Sequence, residues 1–128
     1  MVIFQYPGFN KIYYLDSFID EFNNATLHEE KRYSKWLLRQ LKILQDKGKD
    51  ALLLDAFELL NYRNCDIYAI RSPHSTLNPR VLFFYFNGDN IILTNAFKEK
   101  KSSDYNKYIK KAASAYKEFF SDGGNSNE

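Results

Sequence analysis

The chain has 128 residues, enough for one hydrophobic core but small for two. With 45% hydrophobic and 17% aromatic residues, its composition excludes a chain that is disordered throughout. The formal net charge is only +2, yet residues 1–64 carry nine basic and nine acidic side chains, whereas residues 65–117 carry nine basic and four acidic ones. The second part therefore has a local charge of +5, which would attract a polyanion.

Cysteine usage and hydropathy indicate the cellular setting. Cys65 is the one cysteine, so no intramolecular disulfide can form, and a cysteine-based metal site is disfavoured. No stretch approaches the roughly 18 apolar residues of a membrane span, and the first residues lack a signal-peptide pattern. We therefore expect a soluble, cytoplasmic protein that is not associated with a membrane.

The chain begins with a pattern of short strands. Val2–Tyr6 and Lys11–Tyr14 are aromatic-rich runs separated by Pro7-Gly8, which predicts a strand, a turn and a second strand. Ser17, with an acidic residue three positions later, predicts the start of a helix.

A longer helix follows. Thr26 and Glu29 have the spacing of a capping box, which predicts a helix start. Apolar residues then recur with a period of 3.6 residues as far as Leu44, and Gly48 is predicted to end the helix. The strongly apolar run Ala51–Leu60 favours a short buried helix over a strand.

The pattern then changes to strands. Ile67–Arg71 is the first of them, and a loop of about eight residues follows it. Arg80–Asn87 and Ile91–Phe97 are joined by the turn signal Asn87-Gly88, which predicts a β-hairpin.

A basic helix is predicted to close the domain. Ser102 or Ser103 can cap it, and its apolar residues repeat at helical spacing. We expect one domain over residues 1–120 and a flexible tail over residues 121–128. The class is α+β, with an antiparallel twisted sheet flanked by N-terminal helices and a C-terminal helix.

Two arginines mark a candidate site. Arg71 ends one predicted strand and Arg80 begins the next, so pairing of these strands would bring the two side chains together. Adjacent guanidinium groups repel unless an anion lies between them, and a phosphate fits that role. Alternatively, each arginine is a solvated charge at a strand end, although the apolar residues around both disfavour this.

Further basic residues in this part of the chain are candidates for the same site. Lys98, Lys100 and Lys101 follow directly on an apolar strand, where they can stabilise negative charge or act as a general base; a solvated turn is the alternative. His74 lies in the loop between the arginines, and its imidazole suits proton transfer near neutral pH, although an isolated loop histidine is commonly without a role.

The last helix adds further candidates. Tyr105, in its first turn, can stack on a base or exchange a proton, although its place in the apolar stripe also fits a core role. Lys107, Lys110 and Lys111 are typical of a polar helix face and would widen an RNA-binding surface. There is no glycine-rich phosphate loop and no carboxylate cluster for magnesium, so phosphate chemistry here would use no metal.

The chain resembles the RelE/HigB superfamily of toxins from type II toxin–antitoxin systems. The resemblance rests on the order and spacing of CDIYAIR (65–71), PRVLFFYFNGDNIILTNAFKEKK (79–101) and the basic C-terminal helix, and it covers residues 35–117. The phage-derived HigB-like branch is the closer match, because an arginine ends one strand, an arginine leads the next aromatic strand, and a phenylalanine precedes a lysine pair.

The resemblance implies a RelE-like, microbial-RNase-like fold. It also implies an endoribonuclease that cleaves mRNA in the ribosomal A site without a metal or other cofactor. In such toxins the substrate 2′-hydroxyl attacks the adjacent phosphate, and basic side chains stabilise the anionic transition state. By motif, Arg71 and Arg80 would bind the scissile phosphate, and the lysines at 98, 100 and 101 would supply charge or a general base. Tyr105 falls near a tyrosine that some relatives use.

The implied partners are the ribosome, mRNA and a cognate antitoxin. The antitoxin is expected to be a small helix-turn-helix, HigA-like protein through which the toxin reaches operator DNA. Two other functions stay open: a ParE-like toxin that poisons gyrase without nuclease activity, and a basic RNA- or protein-binding module. The converging cations favour the nuclease, since a protein that only binds has no need to bring them together.

Overall fold

The computed structural model of the chain describes residues 2–72, 77–99 and 102–122. Within these residues, six strands form one mixed sheet in the order β1-β2-β6-β5-β4-β3. The strands are β1 (Ile3–Gln5), β2 (Ile12–Leu15), β3 (Phe57–Tyr62), β4 (Cys65–Arg71), β5 (Pro79–Phe86) and β6 (Asn90–Lys98). Among the described residues, no helix has the length and apolar character needed to cross a membrane.

Helices cover both faces of the sheet. The helices are α1 (Phe18–Ala25), α2 (Glu30–Lys47) and α3 (Ser102–Asp122), and a 3₁₀ helix spans Gly48–Leu53. The apolar sides of α1 and α2 pack on one face, and the apolar side of α3 packs on the other. The predicted α+β class, with helices flanking a sheet, is confirmed.

The central hairpin β5–β6 is buried on both faces. Phe83 and Tyr85 point to the face covered by α1 and α2, whereas Leu82 and Phe84 pack under α3. A strand that is covered on both sides needs apolar residues at every position, which explains the uninterrupted run in β5. This hairpin is the rigid element on which the ends of the neighbouring strands are held.

The prediction of a wholly antiparallel sheet is wrong for one pair. Strand β2 runs parallel to β6, with Ile12 opposite Ile91, and all other neighbours are antiparallel. A parallel pair needs a long crossover, which the intervening helices and strands provide. Local periodicity carries no information about such a distant partner.

The prediction of a buried helix at Ala51–Leu60 is also wrong. The segment divides into the 3₁₀ helix and strand β3, in which Phe57 is buried while Leu59 is 54% exposed. All six residues of β3 are paired with β4, from Phe57 opposite Ile70 to Tyr62 opposite Cys65. Pairing with β4 therefore overrides the local apolar pattern, as is common for strands.

The two ends of α2 differ in how well the sequence predicts them. Thr26 is not its N-cap but ends α1, where its hydroxyl donates to the Phe22 carbonyl at 2.8 Å. Gly48 ends α2 as predicted, with φ +56°, and a Cβ there would lie 2.7 Å from the Asp89 carboxylate. Glycine therefore permits both the backbone turn and this close approach.

At the other end of the chain, α3 includes residues 121 and 122 of the predicted tail, and residues 123–128 lie outside the described residues.

Candidate active site

The register of β4 and β5 places Arg71 directly opposite Arg80. Residues that face each other in an antiparallel pair point to the same side of the sheet. That side is the one covered by α3, because Ala69 and Leu82, two residues away on each strand, pack beneath it. The proximity that the sequence predicts for the two arginines therefore follows from strand pairing.

Arg80 is a buried cation with several contacts. Its side chain is 10% exposed, and Nη2 donates to Glu99 Oε1 at 2.8 Å. Nη1 donates to Asn78 Oδ1, and the guanidinium carbon lies 5.8 Å from the ring centroid of Tyr105. The Glu99 side chain is 24% exposed, so this carboxylate lies on the open side of the ion pair.

Arg71 is held by backbone carbonyl groups just before β3. Its Nη2 donates to the Asp55 carbonyl at 2.9 Å, and its backbone N–H donates to the Ala56 carbonyl at 2.7 Å. The Nε atoms of Arg71 and Arg80 are both buried, and neither has a hydrogen-bond partner among the described residues. Buried donors are nearly always satisfied, so these two represent unused capacity to bind an anion.

A tyrosine and a carboxylate complete the cluster. The Tyr105 hydroxyl donates to Glu58 Oε1 at 2.9 Å, and the Tyr105 ring packs edge-on against Phe97. Burial raises the pKa of Tyr105 well above its ordinary value, and Glu58 raises it further, although the charge of Arg80 opposes this. Tyr105 is therefore a protonated hydrogen-bond donor at neutral pH.

Replacing Tyr105 by phenylalanine is expected to reduce the loss of stability at alkaline pH. The folded-state pKa of Tyr105 lies above the ordinary value of 10.0. Above pH 10 the unfolded chain therefore loses this proton first, and stability falls as the pH rises. Below pH 10 both states are protonated, and the variant loses only the bond to Glu58. Urea unfolding at neutral pH and at about pH 11 measures this difference; equal alkaline losses in the two proteins would contradict it.

Glu58 and Glu99 are site residues that the sequence analysis missed. Glu58 lies in the segment predicted as a helix, and only the strand assignment places it opposite Ala69 on the α3 face. Glu99 stands among lysines, where its charge is easily read as a solvated part of the turn. The sequence FELLNY does not alternate strictly between apolar and polar residues, so no local pattern would have found Glu58.

The structure does not bring Lys98 to the arginine pair. Strand alternation directs it to the face covered by α1 and α2, and it lines a cavity of about 250 Å³ with Glu21 and Asn24 of α1. At the same edge, the Ala96 N–H donates to Glu21 Oε1 at 3.1 Å. The other three residues predicted nearby lie outside the described residues: His74, Lys100 and Lys101.

The predicted helix lysines divide between two sides of α3. Lys107 and Lys111 lie over the Tyr108 ring at 5.3 and 5.4 Å from its centroid, and the Lys111 ammonium is 3.6 Å from Glu21 Oε2. Lys110 instead lines a separate cleft beside the β3–β4 turn. The described lysines of α3 therefore face different neighbours, with Lys107 and Lys111 beside Tyr108 and Lys110 beside the β3–β4 turn.

The cluster as a whole is suited to an anion and to proton transfer. Two guanidinium groups supply positive charge, the Tyr105 phenol supplies a proton donor, and the Glu58 carboxylate supplies a proton acceptor. No group of three or more His, Cys, Asp or Glu residues with the geometry of a metal site occurs within residues 2–72, 77–99 and 102–122.

Comparisons with known proteins give one match. No curated protein and no solved structure matches the chain. A family model described as "Phage derived protein Gp49-like (DUF891)" matches residues 25–117, a range that includes Glu58, Arg71, Arg80 and Tyr105. Because this match extends over well more than half of the sequence, the chain belongs to the Gp49-like family of phage-derived proteins.

Proposed function

We propose that the protein is the toxin of a type II toxin–antitoxin system and cleaves mRNA in the ribosomal A site without a metal. Membership of a phage-derived, toxin-like family supports the toxin assignment. The observation that carries the nuclease assignment is the opposed pair Arg71 and Arg80, whose buried Nε donors have no hydrogen-bond partner among the described residues. A phosphate is the anion that planar, forked donors fit best.

The proposed reaction is transfer of a phosphate from the 5′ oxygen of one nucleotide to the 2′ oxygen of its neighbour. The Glu58 carboxylate accepts the 2′-hydroxyl proton as the new O–P bond forms. Tyr105 donates a proton to the departing 5′ oxygen, and the nearby Arg80 stabilises the phenolate that results. The proton on Glu58 then passes back to Tyr105 along their 2.9 Å hydrogen bond, which leaves a 2′,3′-cyclic phosphate and a free 5′-hydroxyl.

The two arginines take different parts in this proposal. Arg71 is less buried, and within the described part of the chain its side chain binds only backbone carbonyl oxygen, so it meets the phosphate first. Arg80 is paired with Glu99, and the phosphate replaces that carboxylate as its partner. Lys98, Lys100, Lys101 and His74 are proposed to add positive charge or proton transfer around the bound RNA.

The proposed setting follows from the same assignment. A RelE-like domain over residues 1–120 with a flexible tail acts in the cytoplasm on the ribosome and mRNA. A helix-turn-helix antitoxin binds it, neutralises it and carries it to operator DNA. The Gp49-like family assignment makes such a partner the first one to seek in the neighbouring gene.

Induced expression of the protein tests the function. We expect growth arrest, new 5′-hydroxyl ends within the codons of translated mRNA, and restored growth when the neighbouring gene is expressed as well. Primer extension and end-labelling measure the cut sites, and untranslated RNA in the same cells is the control. Growth arrest with intact mRNA and altered DNA supercoiling would instead indicate a ParE-like toxin, and unimpaired growth would indicate a binding module.

A further inference from the structure

A cleft between α3 and the β3–β4 turn contains three cations that have no ion-pair partner in the part of the chain that the structure describes. The ion pairs among the described residues, Arg80–Glu99 and Lys111–Glu21, both lie elsewhere. The cleft has a volume of about 210 Å³ and is lined by Tyr62, Arg63, Lys110, Ala113, Ser114 and Lys117. Three positive charges around a small open cavity create a local field that favours an anion.

Arg63 is oriented towards this cleft by the turn that carries it. Its guanidinium carbon lies 5.2 Å from the ring centroid of Tyr62, within the range of a cation–π contact. Arg63 also has a φ of +50°, in the left-handed region where glycine or asparagine is the usual residue. An arginine at such a position carries a backbone cost, and it places a charge at the tip of the turn.

The two lysines reach the cleft from the same side of α3. Lys110 and Lys117 are seven residues apart, which is about two helical turns, so they lie one above the other. Lys111 lies on the opposite flank of the helix, where Glu21 neutralises it. Lys110 and Lys117, which have no carboxylate partner among the described residues, thus converge with Arg63.

The cleft lies on the same face of the sheet as the candidate active site. Tyr62 and Glu58 are four residues apart on β3, which is about 13 Å along a strand. Helix α3 covers both positions, since Tyr105 contacts Glu58 and Lys110 lies beside Tyr62. This separation is within the reach of an extended RNA strand a few nucleotides long that passes Arg71 and Arg80.

We propose that this cleft binds the phosphates of single-stranded RNA a few nucleotides from the scissile bond; the proposal rests on the function proposed above. RNA is favoured over an acidic protein segment because the cleft lies beside the same helix, on the same face of the sheet, as the arginine pair proposed to hold the scissile phosphate. The volume of about 210 Å³ is below the range of roughly 300–1,000 Å³ found for pockets that enclose drug-sized ligands. It suits one phosphate and its ribose.

Binding of a non-cleavable oligonucleotide tests the proposal without requiring catalysis. The probe is a fluorescent single-stranded RNA of about ten nucleotides with 2′-O-methyl riboses, measured by anisotropy over a range of salt concentrations. The double variant R63A/K117A is expected to bind on the order of tenfold more weakly at about 0.15 M salt, and its salt slope should fall by about 1.4, or about 0.7 for each lost phosphate contact.

The matched control is K31A/K35A, which removes the same net charge from α2 on the other face of the sheet. It is expected to keep the wild-type affinity and slope. Unchanged RNA binding by R63A/K117A would overturn the proposal. The proposal would also be overturned if R63A/K117A lost the ability to bind a polyglutamate peptide but still bound RNA. If the induced wild-type protein leaves mRNA intact but still binds the oligonucleotide more tightly than R63A/K117A does, the nuclease function alone is rejected and the cleft proposal stands.

Discussion

Replacing Arg71 by alanine is expected to lower the rate of mRNA cleavage by roughly 10²- to 10³-fold, the loss typical when one donor to a developing anion is removed. Arg71 contacts the Asp55 carbonyl through Nη2, and its buried Nε has no partner within the described residues. The alanine variant therefore breaks no ion pair among the described residues. The rate is measured on translating ribosomes in vitro, and a thermal melt reports on the fold.

Two further variants sharpen this prediction. Arg71→Lys keeps the charge but loses the planar fork, so we expect only partial recovery of the rate. Arg39→Ala removes an exposed arginine from α2, on the opposite face of the sheet, and should cleave at the wild-type rate. Wild-type cleavage by a folded Arg71→Ala protein would rule out the arginine pair as the phosphate site.

Arg80 is a poorer first target because its removal also disturbs the fold. Its guanidinium is the partner of Glu99 in an ion pair whose arginine side chain is 10% exposed. Alanine there would leave a carboxylate without its cation in a partly buried setting, which destabilises the folded state. A loss of activity in Arg80→Ala would then combine a catalytic effect with a structural one.

Replacing Phe84 by alanine is expected to lower the free energy of unfolding by about 3–5 kcal/mol, the usual cost of removing a fully buried phenylalanine. Phe84 has no exposed surface, and its ring contacts those of Tyr116, Phe119 and Phe120 on α3. The loss is a large part of the 5–15 kcal/mol typical of a whole domain. Urea unfolding followed by circular dichroism measures it.

Phe4→Ala is the matched control for this substitution. Phe4 lies on the edge strand β1, is 47% exposed, and contacts Tyr14 at a centroid distance of 5.7 Å. The same change of side chain should cost about 1 kcal/mol or less there, because little buried surface is lost. Equal losses in the two variants would show that α3 does not pack on Phe84 in solution.

Turn chemistry and short-range periodicity were sufficient for much of the fold. The hairpin of β5 and β6 follows from Asn87-Gly88 between two apolar runs, and it forms as predicted. The end of α2 at Gly48 and the position of the last helix are likewise readable from neighbouring residues. These features depend on backbone preferences and on burial of one side of a local element, which a short stretch of sequence encodes.

The position of Arg71 opposite Arg80 could likewise be predicted from neighbouring parts of the sequence, whereas the rest of the candidate site could not. Their opposition depends only on the pairing of consecutive strands. Glu58 and Tyr105 are 47 residues apart, and they meet only because β3 pairs with β4 and α3 crosses the same face. Lys98 is near Arg80 in the sheet, yet strand alternation turns it to the opposite face.

The sequence by itself therefore determined most of the elements, the class and the pair of arginines, but not strand β3. Only the tertiary structure decided that β2 runs parallel to β6, that Glu58 joins the site, and that the lysines of α3 divide between two flanks. The physical reason is that helix and turn formation is governed by neighbouring residues, whereas strand pairing and helix docking depend on contacts between segments distant in the chain.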